Sequence, residues 1–171
     1  TAAVSMVFTT HDGEKAGLQG SKEFADTPTI PLATVVAANN KDMEGKGGVD
    51  EVKLGGPGSI QTLGARRQSR DFGDIIDSVN ATRAETMAID KTWDVTANPM
   101  NRFCRSDQVN YVHHDIPVTY FSTGYAMDYH QPTAEPPYIH YHPMARCAPS
   151  LPRVSETGGT ARTQTAPPRA A

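Results

Sequence analysis

IPVTYFS, residues 116–122, combines apolar, β-branched and aromatic side chains and is predicted to form a buried β-strand. The preceding Ser106–His114 is predicted to form a short helix with Ser106 as its N-cap. Closer to the N-terminus, Asp71–Arg83 carries apolar residues at helical spacing and is predicted to form an amphipathic helix. The other segments predicted as strands are Val4–Thr9, Ala33–Asn40 and Glu51–Leu54, and those predicted as helices are Gly17–Ala25 and Tyr141–Arg146.

This alternation of strands and helices predicts the α/β fold class. We expect a three-layer α/β/α sandwich whose sheet is mostly parallel. The chain opens on the apolar segment Val4–Phe8, and a domain rarely begins inside its own core, so we expect the domain to be incomplete at its N-terminus. Residues 148–171 are rich in Pro, Thr and Ala and poor in large apolar side chains. We therefore expect one domain over residues 1–147, followed by a disordered or out-of-frame tail over residues 148–171.

Charge and hydropathy exclude two classes of function. The 171 residues include 16 Lys and Arg against 19 Asp and Glu, a net charge of −3, which gives no basic surface of the kind that nucleic acid requires. No apolar run approaches the roughly 20 residues that a membrane-spanning helix needs. The two cysteines, Cys104 and Cys147, make neither a disulfide scaffold nor a zinc finger, and whether they pair stays open.

Three polar clusters follow predicted strands, at positions where functional groups of α/β sheets collect. They are His11–Lys15, Asn39–Asp42 and Gly124–His130. A carboxylate in the first two clusters is suited to act as a general base or a metal ligand, whereas a solvated turn or a helix cap is the alternative interpretation. His130 lies in a loop rich in Tyr and Pro, where its imidazole either faces a cleft or is merely exposed.

Five short motifs occur in a fixed order along the chain. They are GLQGS (Gly17–Ser21), Asp42-Met43, RSD (Arg105–Asp107), Ile116-Pro117 and DYHQPTAEP (Asp128–Pro136). In this order they resemble the C-terminal half of a co-catalytic di-zinc aminopeptidase. That family includes secreted leucyl aminopeptidases, aminopeptidase Y and the peptidase domain of glutamate carboxypeptidase II. The resemblance runs from about Val4 to Arg146 and implies a zinc-exopeptidase-like fold.

The resemblance implies a role for the residues before GLQGS, where the family has a Glu-Glu pair. In an ungapped alignment, Glu14 takes the position of the general base that activates a zinc-bound water. Lys15 then stands where the family has a zinc-ligating Glu. A shift of one residue makes Glu14 the ligand instead and puts Gly13 at the base position, so either alignment loses one carboxylate.

The resemblance also implies roles for four other residues. Asp42 matches the carboxylate ligand of the second zinc ion, and His130 matches the histidine ligand of the same ion. Tyr129 is similar to a residue that hydrogen-bonds the tetrahedral intermediate, and Arg105 is expected to reach the substrate. Asp107 is expected to support the site rather than bind a ligand.

The implied activity is zinc-dependent hydrolysis of the N-terminal peptide bond of peptides or proteins, in a secreted or periplasmic protein. Two zinc ions activate the water in the complete family enzyme. The family's first His ligand and its bridging Asp have no counterpart here, and Lys15 cannot ligate zinc, so we predict that this chain alone is inactive. Two alternatives remain: a non-catalytic binding or structural module, which Lys15 favours, and a single-zinc enzyme similar to glutaminyl cyclases.

Overall fold

A computed structural model describes residues 5–46, 52–55 and 58–147 of the chain. Its strands are β1 (Ala38–Lys41), β2 (Val52–Gly55), β3 (Ser59–Leu63), β4 (Ala88–Asp90), β5 (Val118–Ser122) and β6 (Gly124–Ala126). Its α-helices are α1 (Gln19–Asp26), α2 (Ala65–Gln68), α3 (Arg70–Ala81), α4 (Gln108–Val112) and α5 (Tyr141–Cys147). Single turns of 3-10 helix lie at Glu14–Ala16, Leu32–Thr34, Arg102–Cys104 and Pro136–Tyr138.

Four of the strands form one mixed sheet in the order β1-β5-β3-β4. β1 pairs with β5 in parallel and β3 pairs with β4 in parallel, whereas β3 and β5 are antiparallel. Two of the three pairings are therefore parallel, as predicted. β2 and β6 form a separate antiparallel pair. The carboxyl ends of β1 and β5 meet at the edge of the sheet where β3 begins.

Apolar side chains cover both faces of the mixed sheet. On one face, Ile60 and Phe121 pack with the buried side of α3, including Phe72 and Ile76. The opposite face is covered by a second buried cluster, whose members are Leu63, Phe103, Tyr111, Ile116, Val118 and Tyr120. Tyr111 belongs to α4, so helices lie on both sides of the sheet. The predicted three-layer α/β/α sandwich is confirmed.

The helix predictions are confirmed in position, with one error at an N-terminus. α4 begins at Gln108 with Asp107 at its N-cap position, so the prediction that Ser106 caps this helix is wrong. The hydroxyl of Ser106 has other partners, because it accepts a hydrogen bond from Asn40 Nδ2 at 2.8 Å and donates one to the Asp42 carboxylate. A side chain that joins two elements in this way is not available to cap its own helix.

Two strand predictions are wrong in whole or in part. Residues 5–9 of the segment Val4–Thr9 form no strand, and Phe8 is 80% exposed. An apolar run becomes a strand only where a neighbour pairs with it, and no described strand does so here. In Ala33–Asn40 the strand begins only at Ala38, because Thr34 bonds back to the Pro31 carbonyl through both its N–H and its hydroxyl, which closes a turn.

The strand predicted at Glu51–Leu54 is confirmed as β2, although Glu51 itself lies outside the described residues, as do residues 148–171 of the predicted tail. β3, β4 and β6 were not predicted. None of the helices among the described residues is both long and apolar enough to cross a membrane.

Candidate functional site

A small cleft, partly open to solvent, lies beyond the ends of β1 and β5, and its volume of about 10 Å³ is close to the minimum that a water molecule needs. It is lined by Glu14, Lys15, Asp42, Met43, Arg102, Arg105, Ser106, Tyr120, Tyr125 and Tyr129. Four of the five predicted site residues are therefore brought together in one place: Glu14, Asp42, Arg105 and Tyr129. This is the edge of an α/β sheet at which ligands usually bind.

Glu14 is held at the cleft by a single 3-10 turn, Glu14–Ala16, which leads into α1. Glycines on both sides of the turn, Gly13 at φ 67° and Gly17 at φ 96°, adopt the left-handed conformation that side chains disfavour. The amide of Asn110 in α4 donates to the Leu18 carbonyl at 3.2 Å and to Ser21 Oγ at 2.8 Å. α4 thereby fixes the position of the residues that carry Glu14.

Lys15 turns its ammonium group onto Glu14. The distance from Lys15 Nζ to Glu14 Oε2 is 2.8 Å. This hydrogen bond raises the pKa of Lys15, so the side chain stays charged over the physiological range. Glu14 is consequently paired with a cation. That cation is the side chain of residue 15, where the family resemblance expects a zinc-ligating Glu.

Asp42 enters the cleft directly after β1. Its N–H donates to the Phe121 carbonyl at 3.1 Å, which continues the pairing of β1 with β5 by one residue. Burial raises the pKa of the Asp42 carboxyl and the hydrogen bond from Ser106 opposes that rise, while the negative charge of Glu14 adds to it. The raised pKa reflects a half-buried carboxylate with a second carboxylate nearby.

Tyrosine rings form one wall of the cleft. The rings of Tyr125 and Tyr129 lie 4.3 Å apart between centroids, and burial together with Tyr125 raises the pKa of Tyr129. The Tyr129 hydroxyl accepts a long hydrogen bond, 3.4 Å, from Arg105 Nη2. Tyr129 is therefore a neutral hydroxyl at physiological pH, already hydrogen-bonded to Tyr125.

His130 is the predicted site residue that does not line the cleft. It is exposed, adopts a left-handed φ of 58°, and stacks its ring on Tyr129 at 3.9 Å. Through Tyr129 it lies next to the cleft, but it is not among the residues that line it. The role of His130 as a ligand stays a prediction.

Arg102 is a cleft residue that sequence reasoning missed. It is 3% exposed, and its Nη1 donates to Gln61 Oε1 at 2.7 Å. Gln61 in turn donates to Asp90 Oδ2 at 3.2 Å. Arg102 stands three positions before Arg105 in the motif region, but Gln61 and Asp90 are far away in sequence. Because these partners are distant in sequence, the residues around Arg102 carry no pattern that predicts its burial.

The donors that the described residues bring to the cleft do not fit a zinc ion. Glu14 and Asp42 are the two carboxylates of the lining, and Glu14 is already ion-paired with the ammonium group of Lys15. In the described part of the chain, no group of three or more His, Cys, Asp or Glu is arranged to hold a metal ion. Zinc sites in proteins take at least three protein ligands. The ligand role of Asp42, like that of His130, stays a prediction.

A polar cleft at the carboxyl ends of parallel strands is the place where α/β proteins of many functions bind their ligands, so the family decides among those functions. Residues 1–151 match the model of peptidase family M28, and the chain belongs to this family. Peptidases of this family are generally zinc-dependent. No curated protein matches the chain.

Solved structures of aminopeptidases share the fold. The aminopeptidase from Aneurinibacillus sp. strain AM-1 is 14% identical with a TM-score of 0.56, over 90% of this chain and 32% of that one. The Legionella pneumophila LapA aminopeptidase is 15% identical with a TM-score of 0.58, over 87% and 37%. A second LapA structure is 14% identical with a TM-score of 0.59, over 91% and 42%. The chain thus spans between about a third and two fifths of the length of these aminopeptidases.

Proposed function

We propose that this chain carries the substrate cleft of an exopeptidase of the aminopeptidase type, which acts on the N-termini of peptides or proteins. The observation that carries the proposal is the convergence of Glu14, Asp42, Arg105 and Tyr129 on one cleft. These residues come from distant parts of the sequence and are four of the five that the aminopeptidase resemblance selects, His130 being the fifth. Membership of peptidase family M28 supports peptide as the substrate. Export to the periplasm or the medium is part of the same proposal, because it rests on the resemblance.

We further propose that the chain alone does not hydrolyse peptides. The ion pair between Lys15 and Glu14 supports this part of the proposal, since a general base must be free to accept a proton from water. A charged ammonium group has no lone pair for a metal ion and repels it. The cleft therefore has the groups to bind and orient a peptide, with Arg105 as a donor, but not the donor set for a zinc ion.

The test of this proposal is hydrolysis of leucyl-p-nitroanilide by the purified 171-residue chain, with and without added zinc. We expect no zinc-dependent release of p-nitroaniline above the buffer rate. Zinc-dependent hydrolysis that a chelator abolishes would show that the chain is active and would overturn the proposed inactivity.

A second candidate, a non-catalytic binding module on the peptidase scaffold, is favoured by Lys15. Equilibrium dialysis of zinc against Lys15→Glu and wild type separates it from a damaged enzyme. A damaged enzyme gains measurable zinc affinity when the carboxylate is restored, whereas a binding module gains none. Lys22→Glu is the matched control, because Lys22 is exposed on α1 and pairs with Asp26 away from the cleft.

A further inference from the structure

We propose that Arg102 forms a subsite for a carboxylate group within this cleft. The inference rests on the proposed function, because it names the chemistry of the substrate that the same cleft receives. Arg102 is not one of the residues that the family resemblance selects. Its role follows from its burial, its contacts and the charges around it.

The first observation is an unsatisfied donor on a buried cation. Arg102 is 3% exposed and lines the cleft, yet its Nη2 is buried and has no hydrogen-bond partner among the described residues. A buried charged donor without a partner is costly to a fold. A ligand oxygen placed in the cleft supplies the acceptor that the protein itself does not.

The second observation is that the guanidinium is held in one orientation before any ligand arrives. It lies 4.1 Å from the ring centroid of Tyr125 and 5.3 Å from that of Trp93. Nη1 is fixed by Gln61, which is itself fixed by Asp90. A side chain that is already ordered loses little entropy when it binds, so its hydrogen bond to a ligand contributes more to affinity.

The charges of the lining favour an anion over a neutral group. Lys15 and Glu14 neutralise each other at 2.8 Å, which leaves Arg102 and Arg105 against the single carboxylate of Asp42. A planar carboxylate, the common anionic group of peptides, matches the planar fork of an arginine. In a peptide this group has two sources: the side chain of an N-terminal Asp or Glu, and the C-terminus of a dipeptide.

Two pairs of probes distinguish these sources, and titration calorimetry on the 171-residue chain measures their affinities. Glutamic acid α-amide and glutamine α-amide differ only at the side chain. Dialanine and dialanine amide differ only at the C-terminus. We expect the carboxylate member of one pair to bind at least about tenfold more tightly than its amide, and the pair that shows this identifies the source.

Variants of Arg102 test whether this side chain causes the preference for the carboxylate probe. We expect Arg102→Met to reduce the ratio of affinities to near one, and Arg102→Lys to retain part of it because the charge stays while the planar fork is lost. Arg67→Met is the matched control, since Arg67 stacks on Phe103 at 4.6 Å outside the cleft and its loss should leave the ratio unchanged. Should Arg102→Met fail to fold, Arg102→Lys and the wild-type ratios decide the question.

The proposed subsite is contradicted if neither pair of probes shows a carboxylate preference in the wild type. It is also contradicted if the preference survives in Arg102→Met. Its failure is distinct from failure of the proposed function. Probes that bind without preference for the carboxylate contradict the subsite alone. Absence of binding by all four probes contradicts the peptide cleft as well.

Discussion

Gly64 joins β3 to α2 at a point where the chain has no room for a side chain. Its φ is 100°, and a Cβ at this position would lie 2.6 Å from the Val118 carbonyl oxygen and 2.8 Å from Cε2 of Phe103. Both neighbours belong to the buried side of the sheet, so neither moves without cost. The conformation and the close approach both require glycine here.

We expect Gly64→Ala to lower the free energy of unfolding by about 3 kcal/mol, from backbone strain together with overpacking. Gly17→Ala is the matched control: Gly17 has a similar φ of 96° but nothing lies within 4 Å of a Cβ placed there. We expect Gly17→Ala to lower the free energy of unfolding by only about 1 kcal/mol. Urea unfolding of both variants measures the difference, and equal losses would contradict the steric argument.

Single residues also mark how far the sequence predicts the site. Glu14, Asp42, Arg105 and Tyr129 were predictable because each stands in a short motif whose order along the chain is informative, and the sheet brings the motifs together. Arg102 was not predictable, because its burial depends on Gln61 in a strand that the sequence does not reveal. The ion pair of Lys15 with Glu14 is likewise a matter of side-chain geometry rather than of sequence pattern.

At the scale of elements, α3 begins at a capping residue. Ser69 is the N-cap of α3, and its buried hydroxyl accepts a hydrogen bond from the Phe72 N–H at 3.3 Å. We expect Ser69→Ala to lower the free energy of unfolding by about 1 kcal/mol, because this N–H then lacks an acceptor. The measurement is again urea unfolding, followed by circular dichroism.

Ser78→Ala is the control for this prediction, since Ser78 lies on the exposed side of the same helix. Alanine favours a helix interior, so this variant should be within about 0.5 kcal/mol of wild type or slightly more stable. A loss at Ser78 equal to that at Ser69 would mean that the cap contributes nothing specific.

Elements differed in how well the sequence predicts them. α3 was predicted because Phe72, Ile76 and Val79 repeat at helical spacing. β3 was missed although it lies inside the sheet, because its buried side chains include Gln61 and Thr62, which hydrogen-bond or pack only in the finished fold. β4 has three residues, too few for a period to be visible.

At the scale of the whole molecule, the sheet separates the two cysteines. Both thiols are free, with Cys147 buried in the cluster under α3 and Cys104 packed against the cluster on the opposite face. Burial raises the pKa of the Cys147 thiol to about 11, so its thiolate is scarce at pH 8. The question of pairing that the sequence left open is thereby answered: the two thiols do not bond within the chain.

We expect Ellman's reagent at pH 8 to modify Cys104 first in the folded chain and Cys147 only in urea. Because the thiolate reacts, the rate at Cys147 in the folded chain should rise with pH up to about 11. Cys104→Ser, which leaves Cys147 as the one cysteine of the chain, isolates its rate. Rapid labelling of this variant without denaturant would contradict the burial of Cys147.

The order β1-β5-β3-β4 has a consequence for the protein during its synthesis. β5 joins the two parallel pairs, and it is the last of these four strands to be made by the ribosome. Until residue 122 has left the exit tunnel, Ala38 has no Val118 to pair with, and β3 and β4 form at most a two-stranded ribbon, which is marginal in water. From the emergence of Ala81 until that of Ser122, the nascent chain therefore carries the apolar side of α3 without its partner Phe121, and chaperones have that interval in which to bind it.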